Sequence, residues 1–305
     1  MEYIVTTDGL TKTYGKKNAA DDISIHIRPG QIYGLIGRNG AGKTTVMRML
    51  SGLSNPTKGT ITLFGKHGSE AHKERKKIGV LIEHPGIYSN MSAYKNLKIK
   101  AIAMGCEKRK GYIEDMLRLI GLENTGKKPV GSFSLGMRQR LGIGLALIGE
   151  PELIILDEPI NGLDPQGIVE VRQMLAKLRD EKGITIMISS HILDELGKLA
   201  DCYGIIHEGK LIDEFSTDEL HKRCGKYIGI RTDDNKAAVD VIKKAGFGEI
   251  EISDDDMIRV NDRIDDVKLL VKALVNADLV PTYVSKSDIS LEDYYLSVTG
   301  GEHNG

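Results

Sequence analysis

The chain has 305 residues, of which 40% are hydrophobic and 28% are charged, as is typical of a globular protein that buries its core without disulfides or metals. Its 42 basic and 43 acidic residues give a net charge of −1, which disfavours a general nucleic-acid binder. An aromatic content of 5%, without tryptophan, disfavours a stacking surface for single-stranded nucleic acid.

Neither a disulfide framework nor a membrane span is expected. The three cysteines, Cys106, Cys202 and Cys224, are widely spaced and form no Cys-x-x-Cys pair. They are interpreted as buried or incidental thiols in a reducing compartment rather than as zinc ligands. The N-terminus lacks the pattern of a secretory signal, and no run of about 18 apolar residues occurs. A role at a membrane is therefore expected to come through a partner.

Strand-like and helix-like patterns alternate over residues 1–222 and predict an α/β nucleotide-binding domain. Its core is expected to be a mainly parallel sheet, with an antiparallel β part at the N-terminus. Strands are predicted at 31–37, 78–82, 153–157 and 184–189, and helices at 44–53 and 169–181, the second ending near Gly183. Residues 84–149 are interpreted as an inserted helical subdomain, with helices predicted at 91–106, 112–121 and 135–148.

Residues 225–300 are predicted to form a second, smaller domain. Strands are expected at 226–231, 249–253, 257–260 and 280–285, and helices at 235–245, 264–277 and 291–298. The order β-α-β-β-α-β is typical of a ferredoxin-like α+β domain. Asp254, Asp255 and Asp256 are interpreted as a solvated turn rather than a metal cluster. Residues 301–305 are expected to form a flexible tail.

A phosphate-binding loop is predicted at 37–44, where Gly-Arg-Asn-Gly-Ala-Gly-Lys-Thr fits G-x-x-x-x-G-K-[ST] between a strand and a helix. Glycines let backbone N–H groups point at phosphate oxygens, and the helix adds its positive N-terminal end. Lys43 is expected to reach the β- and γ-phosphates, and the Thr44 hydroxyl to hold Mg²⁺. The predicted nucleotide-binding residues are Gly37, Asn39, Gly40, Ala41, Gly42, Lys43, Thr44 and Thr45.

Two acids follow the apolar run 153–156 at the predicted carboxyl end of a strand. In an open α/β sheet this end faces the ligand crevice, beside the phosphate loop. Asp157 is expected to hold Mg²⁺, and Glu158 to act as the general base that polarises the attacking water. A solvated acidic turn is the alternative, and the upstream phosphate loop argues against it.

A phosphate loop and an acidic strand end also fit kinases, GTPases and helicases. The segment 131–140, Gly-Ser-Phe-Ser-Leu-Gly-Met-Arg-Gln-Arg, resembles the L-S-G-G-Q signature of ATP-binding-cassette (ABC) ATPases. It places Ser134 and the N–H of Gly136 at a helix N-terminus, another anion-binding end. The segment 161–164 resembles the D-loop, which includes Asp164. His191 resembles the switch histidine, and Tyr14 resembles the aromatic residue that stacks on adenine.

This resemblance covers about residues 1–220 of the sequence. It implies a cassette that binds and hydrolyses ATP with Mg²⁺, in which Lys43, Glu158 and His191 are catalytic. It also implies that two copies pair head to tail, so that Ser134, Gly136 and Asp164 complete the partner's nucleotide site. A separately encoded membrane permease is the implied second partner, and it would hold the chain at the cytoplasmic face of the membrane.

Two departures from the family pattern stand out. Glu83 occupies the place of the usual Q-loop glutamine, and its carboxylate is expected to reach Mg²⁺ while adding negative charge to an anionic site. The signature is also degenerate, because Leu135 replaces the first glycine and Met137 replaces the glutamine. Loss of the glutamine side chain is expected to weaken the contacts between the signature of one copy and the nucleotide bound by the other.

Segments 82–88, 91–97, 133–143 and 291–301 resemble cassettes of bacitracin-resistance and lantibiotic-immunity exporters. The resemblance implies a peptide-export role, with residues 83–100 expected to contact the permease. A soluble ABC-type ATPase that acts on the ribosome or nucleic acid remains an alternative, although the single cassette, balanced charge and lack of long heptad repeats disfavour it. A P-loop kinase would not explain the signature, the D-loop and His191 together.

Overall fold

The computed structural model describes residues 2–83, 85–106, 110–223, 226–253, 256–288 and 290–300. Predicted features at His84, Cys224, Asp254, Asp255 and the tail 301–305 lie outside this description. The chain folds into two compact units, Met1–Thr217 and a second unit that begins at Asp218. The sequence puts this boundary after residue 222, and the predicted domain ranges stay predictions. No helix in the described ranges is both long enough and apolar enough to cross a bilayer.

The first unit combines two sheets with surrounding helices. Its strands are β1 (Val5–Tyr14), β2 (Lys17–Ile23), β3 (His26–Ile27), β4 (Ile32–Ile36), β5 (Lys58–Leu63), β6 (Lys66–His67), β7 (Ile78–Leu81), β8 (Leu153–Leu156), β9 (Thr185–Ser190), β10 (Cys202–His207) and β11 (Lys210–Ser216). Its helices are α1 (Lys43–Ser51), α2 (Gly68–Glu74), α3 (Ala93–Ala103), α4 (Tyr112–Leu119), α5 (Leu135–Leu147), α6 (Pro165–Lys182) and α7 (Leu193–Gly197), and α8 (Thr217–Arg223) spans the division between the units.

The larger sheet has the strand order β11-β10-β4-β9-β8-β7. All neighbours are parallel except the pair β10 and β11. Strands β4, β8 and β9 are buried along their whole length, as is typical of a parallel sheet that is covered on both faces. The predicted mainly parallel α/β core is therefore confirmed.

The parallel pairing decides where the functional side chains meet. Strands β4, β9 and β8 are adjacent and run in the same direction, so their carboxyl ends lie at one edge of the sheet. The residues that follow these ends are the glycine-rich loop, the two acids after Leu156, and His191. One sheet edge thus collects groups that are far apart in the sequence.

The predicted N-terminal antiparallel part is also confirmed. Strands β2, β1, β5 and β6 form a second sheet in that order, with β3 paired to β1. Glu214 on β11 ties this sheet to the larger one, because it accepts a 2.7 Å hydrogen bond from the Tyr33 hydroxyl and lies 2.8 Å from His26 Nδ1. Burial, with the nearby Glu214 carboxylate, raises the pKa of Tyr33 well above its usual value, so the hydroxyl stays a donor.

The inserted subdomain is helical, as predicted, and consists mainly of α3, α4 and α5. Its helices are shorter than the predicted spans: α3 begins two residues later, and all three end earlier. Ser92 accepts a hydrogen bond from the Lys95 N–H and starts α3, and Ser134 accepts one from the Met137 N–H and starts α5.

The second unit contains β12 (Lys226–Arg231), α9 (Asn235–Lys244), β13 (Ile250–Ile252), β14 (Ile258–Val260), α10 (Val267–Asn276), β15 (Tyr283–Asp288) and α11 (Leu291–Thr299). Its antiparallel sheet has the order β13-β14-β12-β15. The sheet and both helices α9 and α10 contribute to one apolar core, which includes Ile230, Ile258, Ile242 and Leu270. The element order is the one read from the sequence, and the assignment to a ferredoxin-like domain stays a prediction.

The predicted strand 280–285 is wrong in position, since β15 begins at Tyr283 and ends at Asp288. Among the described strands, the only neighbour of β15 in the sheet is β12, and β12 ends at Arg231, so residues 280–282 have no strand residue opposite them. The pairing instead starts where Thr282 donates to the Arg231 carbonyl at 2.8 Å and Tyr283 lies opposite Arg231.

Gly79 on β7 provides a test of how tightly α5 packs on the sheet. A Cβ at this position would overlap the carbonyl oxygen of Ala146 and lie 2.9 Å from its carbonyl carbon, and backbone atoms cannot rotate away. We expect Gly79→Ala to lower the stability of the first unit by about 1–3 kcal/mol, the usual cost of overpacking. The measurement is the midpoint of urea unfolding followed by circular dichroism.

Gly86→Ala is the matched control, because a Cβ there meets nothing within 4 Å. Equal midpoints for the two variants would contradict the close packing of β7 against α5.

Candidate active site

The loop between β4 and α1 is shaped so that only glycine fits at two of its positions. Gly42 has φ 114°, and a Cβ there would lie 2.5 Å from the carbonyl oxygen of Ala19. A Cβ on Gly37 would lie 2.5 Å from the carbonyl oxygen of Ile206. Among the described residues, no side chain caps the N-terminus of α1. Its first N–H groups are therefore available to an anion.

Lys43 lies at the first position of α1, and its side chain is only 5% exposed. Its ammonium donates to the Gly37 carbonyl at 2.6 Å and lies 3.2 Å from Glu158 Oε1. A buried cation needs such partners because burial removes its hydration. The loop thus keeps a positive charge beside open backbone N–H groups, which is the chemistry that binds phosphate.

An open cleft of about 1040 Å³ borders this loop. Such a volume is at the upper end of the usual range for small-molecule sites, about 300–1,000 Å³. Tyr14, which is 51% exposed, lines the cleft, as do Glu158 and the turn His207–Gly209. The predicted residues that line it are Tyr14, Asn39, Gly40, Ala41, Gly42, Lys43, Thr44, Thr45 and Glu158.

A buried cluster of oxygen atoms lies where α1 approaches the ends of β8 and β9. The Thr44 hydroxyl donates to Asp157 Oδ2 at 2.7 Å, and the Ser189 hydroxyl donates to Asp157 Oδ1 at 2.6 Å. Ser189 also accepts a 2.9 Å hydrogen bond from the Glu158 N–H. The hydroxyl of Thr44 and the carboxylate of Asp157 are hard oxygen ligands of the kind that Mg²⁺ prefers, so the residues present fit that ion.

Ser189 is a site residue that the sequence reading missed. Its place in the site follows from the register between two strands, in which Ile188 on β9 lies opposite Leu156 on β8. The residue after Ile188 is therefore adjacent to Asp157. That register cannot be read from either strand alone.

Glu158 and His191 are brought together at the same sheet edge. His191 Nδ1 lies 2.6 Å from Glu158 Oε2. Within the described residues, Glu158 Oε1 has the Lys43 ammonium nearby but no aligned hydrogen bond. Glu158 has φ 50°, a left-handed conformation that is uncommon for a residue other than glycine. One carboxylate oxygen thus lies against a histidine, and the other is buried beside the Lys43 ammonium.

Ser134, Gly136 and Asp164 are near one another but are not among the described residues that line the cleft. Ser134 caps α5, and the Asp164 carboxylate accepts from the Gly167 N–H and caps α6. A Cβ on Gly136 would lie 3.9 Å from Leu163 and from Gly167, so the beginnings of α5 and α6 are in close proximity. The two predicted groups of nucleotide-binding residues therefore do not line the same cleft.

Glu83 follows β7, has φ 62°, and pairs with the guanidinium of Arg48 on α1. The carboxylate is exposed, and the arginine neutralises the extra negative charge that the sequence reading expected near the site. Its predicted contact with Mg²⁺ stays a prediction.

Comparison with known proteins decides the family. The chain is 46% identical to the bacitracin transport ATP-binding protein BcrA of Bacillus licheniformis, over 99% of both chains. The chain belongs to the ABC transporter ATP-binding proteins. The family model for ABC transporters matches residues 20–161. This ABC protein is also 47% identical to the lantibiotic transport ATP-binding protein SrtF of Streptococcus pyogenes, over 68% of this chain and 89% of the relative.

Among solved structures, the ABC protein is similar to CbiO1 of Clostridium perfringens, part of an ABC transporter complex. The TM-score is 0.65 at 28% identity, covering 80% of this chain and 95% of CbiO1. The cassette fold and the ATP-hydrolysing activity predicted from the sequence are therefore confirmed, and the kinase alternative is wrong. The chain is the ATP-binding subunit of an ABC transporter.

Ser189→Ala tests the oxygen cluster of this ABC ATPase. The substitution leaves one Asp157 oxygen and the Glu158 N–H without a partner, and each loss costs about 1–3 kcal/mol when buried. We expect kcat for ATP hydrolysis to fall about 10- to 100-fold, the usual effect of removing a hydrogen-bond partner of a metal-binding carboxylate. The measurement is steady-state phosphate release.

The matched control is Thr185→Ala at the other end of β9. Thr185 is also buried, and its hydroxyl accepts from the Gly30 N–H at 2.9 Å. The substitution removes a comparable buried hydrogen bond at the end of β9 that lies away from Asp157. Equal losses of kcat in the two variants would mean that the effect comes from destabilised packing.

Proposed function

We propose that this ABC ATPase drives the export of antimicrobial peptides of the bacitracin or lantibiotic type, through a separately encoded membrane permease. The observation that carries the proposal is the 46% identity to a bacitracin transport ATP-binding protein over 99% of both chains, which includes the second unit. The shorter match to a lantibiotic transport ATP-binding protein supports the same class of cargo. The proposed location is the cytoplasmic face of the membrane, where the permease would hold the chain.

The proposed chemistry uses the groups at the sheet edge. The N–H groups of the loop 37–42 and the Lys43 ammonium bind the phosphates, and Tyr14 stacks on adenine. Mg²⁺, held by Thr44 and Asp157, supplies positive charge that neutralises the phosphate oxygens. Glu158 accepts the proton of the attacking water, and His191 holds the carboxylate in place through the 2.6 Å contact.

We further propose that two copies pair head to tail around ATP. In such a pair Ser134, Gly136 and Asp164, which lie outside the cleft of their own chain, would contact the nucleotide bound by the partner copy. The first turn of α5 reads Leu-Gly-Met-Arg, so its positive end carries no acidic side chain. Such an end favours an anion, and the γ-phosphate bound by the partner copy is the proposed one. Asp164 is expected to lie at the same interface.

Glu158→Gln tests both the proposed base and the pairing. Glutamine keeps the size of the side chain and can hydrogen-bond to His191, but it cannot accept a proton at neutral pH. We expect the variant to bind ATP, to lose about 10²- to 10⁴-fold in kcat, the usual contribution of a positioned acid–base group, and to accumulate as a dimer. Size-exclusion chromatography with light scattering, with ATP and with ADP, measures the dimer.

The matched control adds Ser134→Arg to Glu158→Gln. The added bulk and charge lie at the N-terminus of α5 and leave the chain's own phosphate loop unchanged. This double variant should bind ATP and remain monomeric. Hydrolysis by Glu158→Gln at the wild-type rate would contradict the base assignment, and a dimer that survives Ser134→Arg would contradict the head-to-tail pairing.

The proposed permease contact is a groove between β7, α3 and α5. Its volume is about 300 Å³, and its lining includes Leu81, Pro85, Tyr88, Ile99 and Leu145. Tyr88 and Ile99 on the groove, and Ile102 beside it on α3, are exposed large hydrophobic residues. An apolar groove that borders the segment after β7 could receive an apolar element of a membrane protein and couple its motion to the nucleotide site.

Ile99→Asp is expected to abolish co-purification of the permease with the tagged chain from detergent-solubilised membranes. A carboxylate in the groove would have to be desolvated on binding, which is strongly unfavourable. ATPase activity of the isolated chain should be unchanged, because Ile99 is not a site residue. Leu53→Asp, on another exposed apolar residue, is the control, and equal loss of the permease in both variants would contradict the groove.

A further inference from the structure

The segment that contains His191 is held in place mainly by contacts with other elements of the fold. Helix α7 begins at Leu193, two residues after His191, and it spans only five residues, Leu193–Gly197. No side chain among the described residues caps its N-terminus. A helix of this length does not form in isolation, because nucleation costs more than so few hydrogen bonds return. The contacts that anchor α7 therefore determine where His191 lies.

Those contacts include two buried leucines, one ion pair and a 3.3 Å hydrogen bond from the Tyr203 hydroxyl to the last carbonyl of α7. Leu193 and Leu196 are buried. Glu195, between them, accepts a 2.7 Å hydrogen bond from Arg172 Nη1 of α6. The side chains of Arg172 and Glu195 are 26% and 19% exposed, so water screens this pair less than an exposed one.

A second cation beside Glu195 is Lys198, which directly follows α7. Lys198 Nζ lies 2.8 Å from Glu195 Oε1 but is itself mostly exposed. The hydrogen bond from Lys198, together with Arg172, lowers the pKa of Glu195, so the carboxylate is ionised at neutral pH. Arg172 is the partner that reaches a different element, and Lys198 only joins residues within the same segment.

Helix α6 is also the element that follows Glu158. The chain runs from Glu158 through the turn at Asn161 to Asp164, which caps α6. Arg172 lies two turns further along α6 and reaches α7, which follows His191. The ion pair thus joins the segment after the proposed base to the segment after the histidine that contacts it at 2.6 Å.

We propose that the Arg172–Glu195 pair is a tether that positions His191 against Glu158, and that both are positioning residues for ATP hydrolysis. This inference rests on the proposed roles of Glu158 and His191. Loss of the tether lets α7 shift on its two leucines, so that His191 no longer holds the carboxylate in one orientation. Nucleotide binding is unaffected, because neither residue of the pair lines the described cleft.

The test is a double-mutant cycle with the full chain, using Glu195→Gln and His191→Ala alone and together. Glutamine keeps the shape of Glu195 and removes its charge. We expect Glu195→Gln to lower kcat about tenfold, less than the 10²- to 10⁴-fold of a group that acts on the substrate, with an unchanged Kd for fluorescent ATP. In the His191→Ala background the same change should have no further effect, because the tether acts through His191.

Arg172→Gln should reproduce Glu195→Gln, and Arg179→Gln is its matched control. Arg179 is on the same helix, is 25% exposed, and pairs with Asp201 at 2.8 Å. It should keep the wild-type kcat. The exchange Arg172→Glu with Glu195→Arg should recover part of the activity that either change loses alone.

Two results would overturn the tether. One is a full tenfold loss from Glu195→Gln in the His191→Ala background, and the other is an equal loss from Arg179→Gln. If His191→Ala itself keeps the wild-type kcat, the proposed role of His191 fails and the tether fails with it. An impaired His191→Ala with additive losses overturns the tether alone, so the two failures are distinguishable.

Discussion

Three adjacent parallel strands, β4, β9 and β8, end at one edge of the sheet, and the site depends on this constraint. The register that sets Ile188 opposite Leu156 also brings the Ser189 hydroxyl within 2.6 Å of Asp157. Backbone pairing, and not the motifs themselves, therefore fixes the distances between the phosphate loop, the carboxylates and the histidine. The buried Asp157 carboxylate can be tolerated there because each of its oxygens accepts a hydrogen bond from a fixed hydroxyl.

The parts of the site that were predictable are those in which chemistry and geometry lie within one short segment. The loop 37–44 carries its own requirement for glycine, lysine and threonine, and Asp157 and Glu158 directly follow an apolar strand. Ser189 was not predicted, because its role depends on a neighbouring strand that is about thirty residues away in sequence. The ion pair between Glu83 and Arg48 could likewise not be predicted from the sequence, since it requires α1 and the end of β7 to be adjacent.

The fold was predictable to a similar degree and for similar reasons. The fully buried strand β8 is a continuous apolar run, and β9 contains the apolar run 186–188. Strands β1, β2 and β5 mix buried, half-buried and exposed residues and gave no individual prediction. Helix ends were misplaced by a few residues where a serine cap such as Ser92 sets the first turn. The last strand of the second unit was misplaced because its start depends on where its partner β12 ends.

The left-handed backbone of Glu158 limits which amino acids evolution can accept at that position. Asparagine, aspartate and glycine adopt this conformation most readily, but each is too short to keep a carboxylate oxygen in contact with His191. Valine and isoleucine are excluded by the branch at Cβ, whatever their chemistry. Glutamate therefore occupies this position against the local conformational preference, because its length brings a carboxylate oxygen to His191.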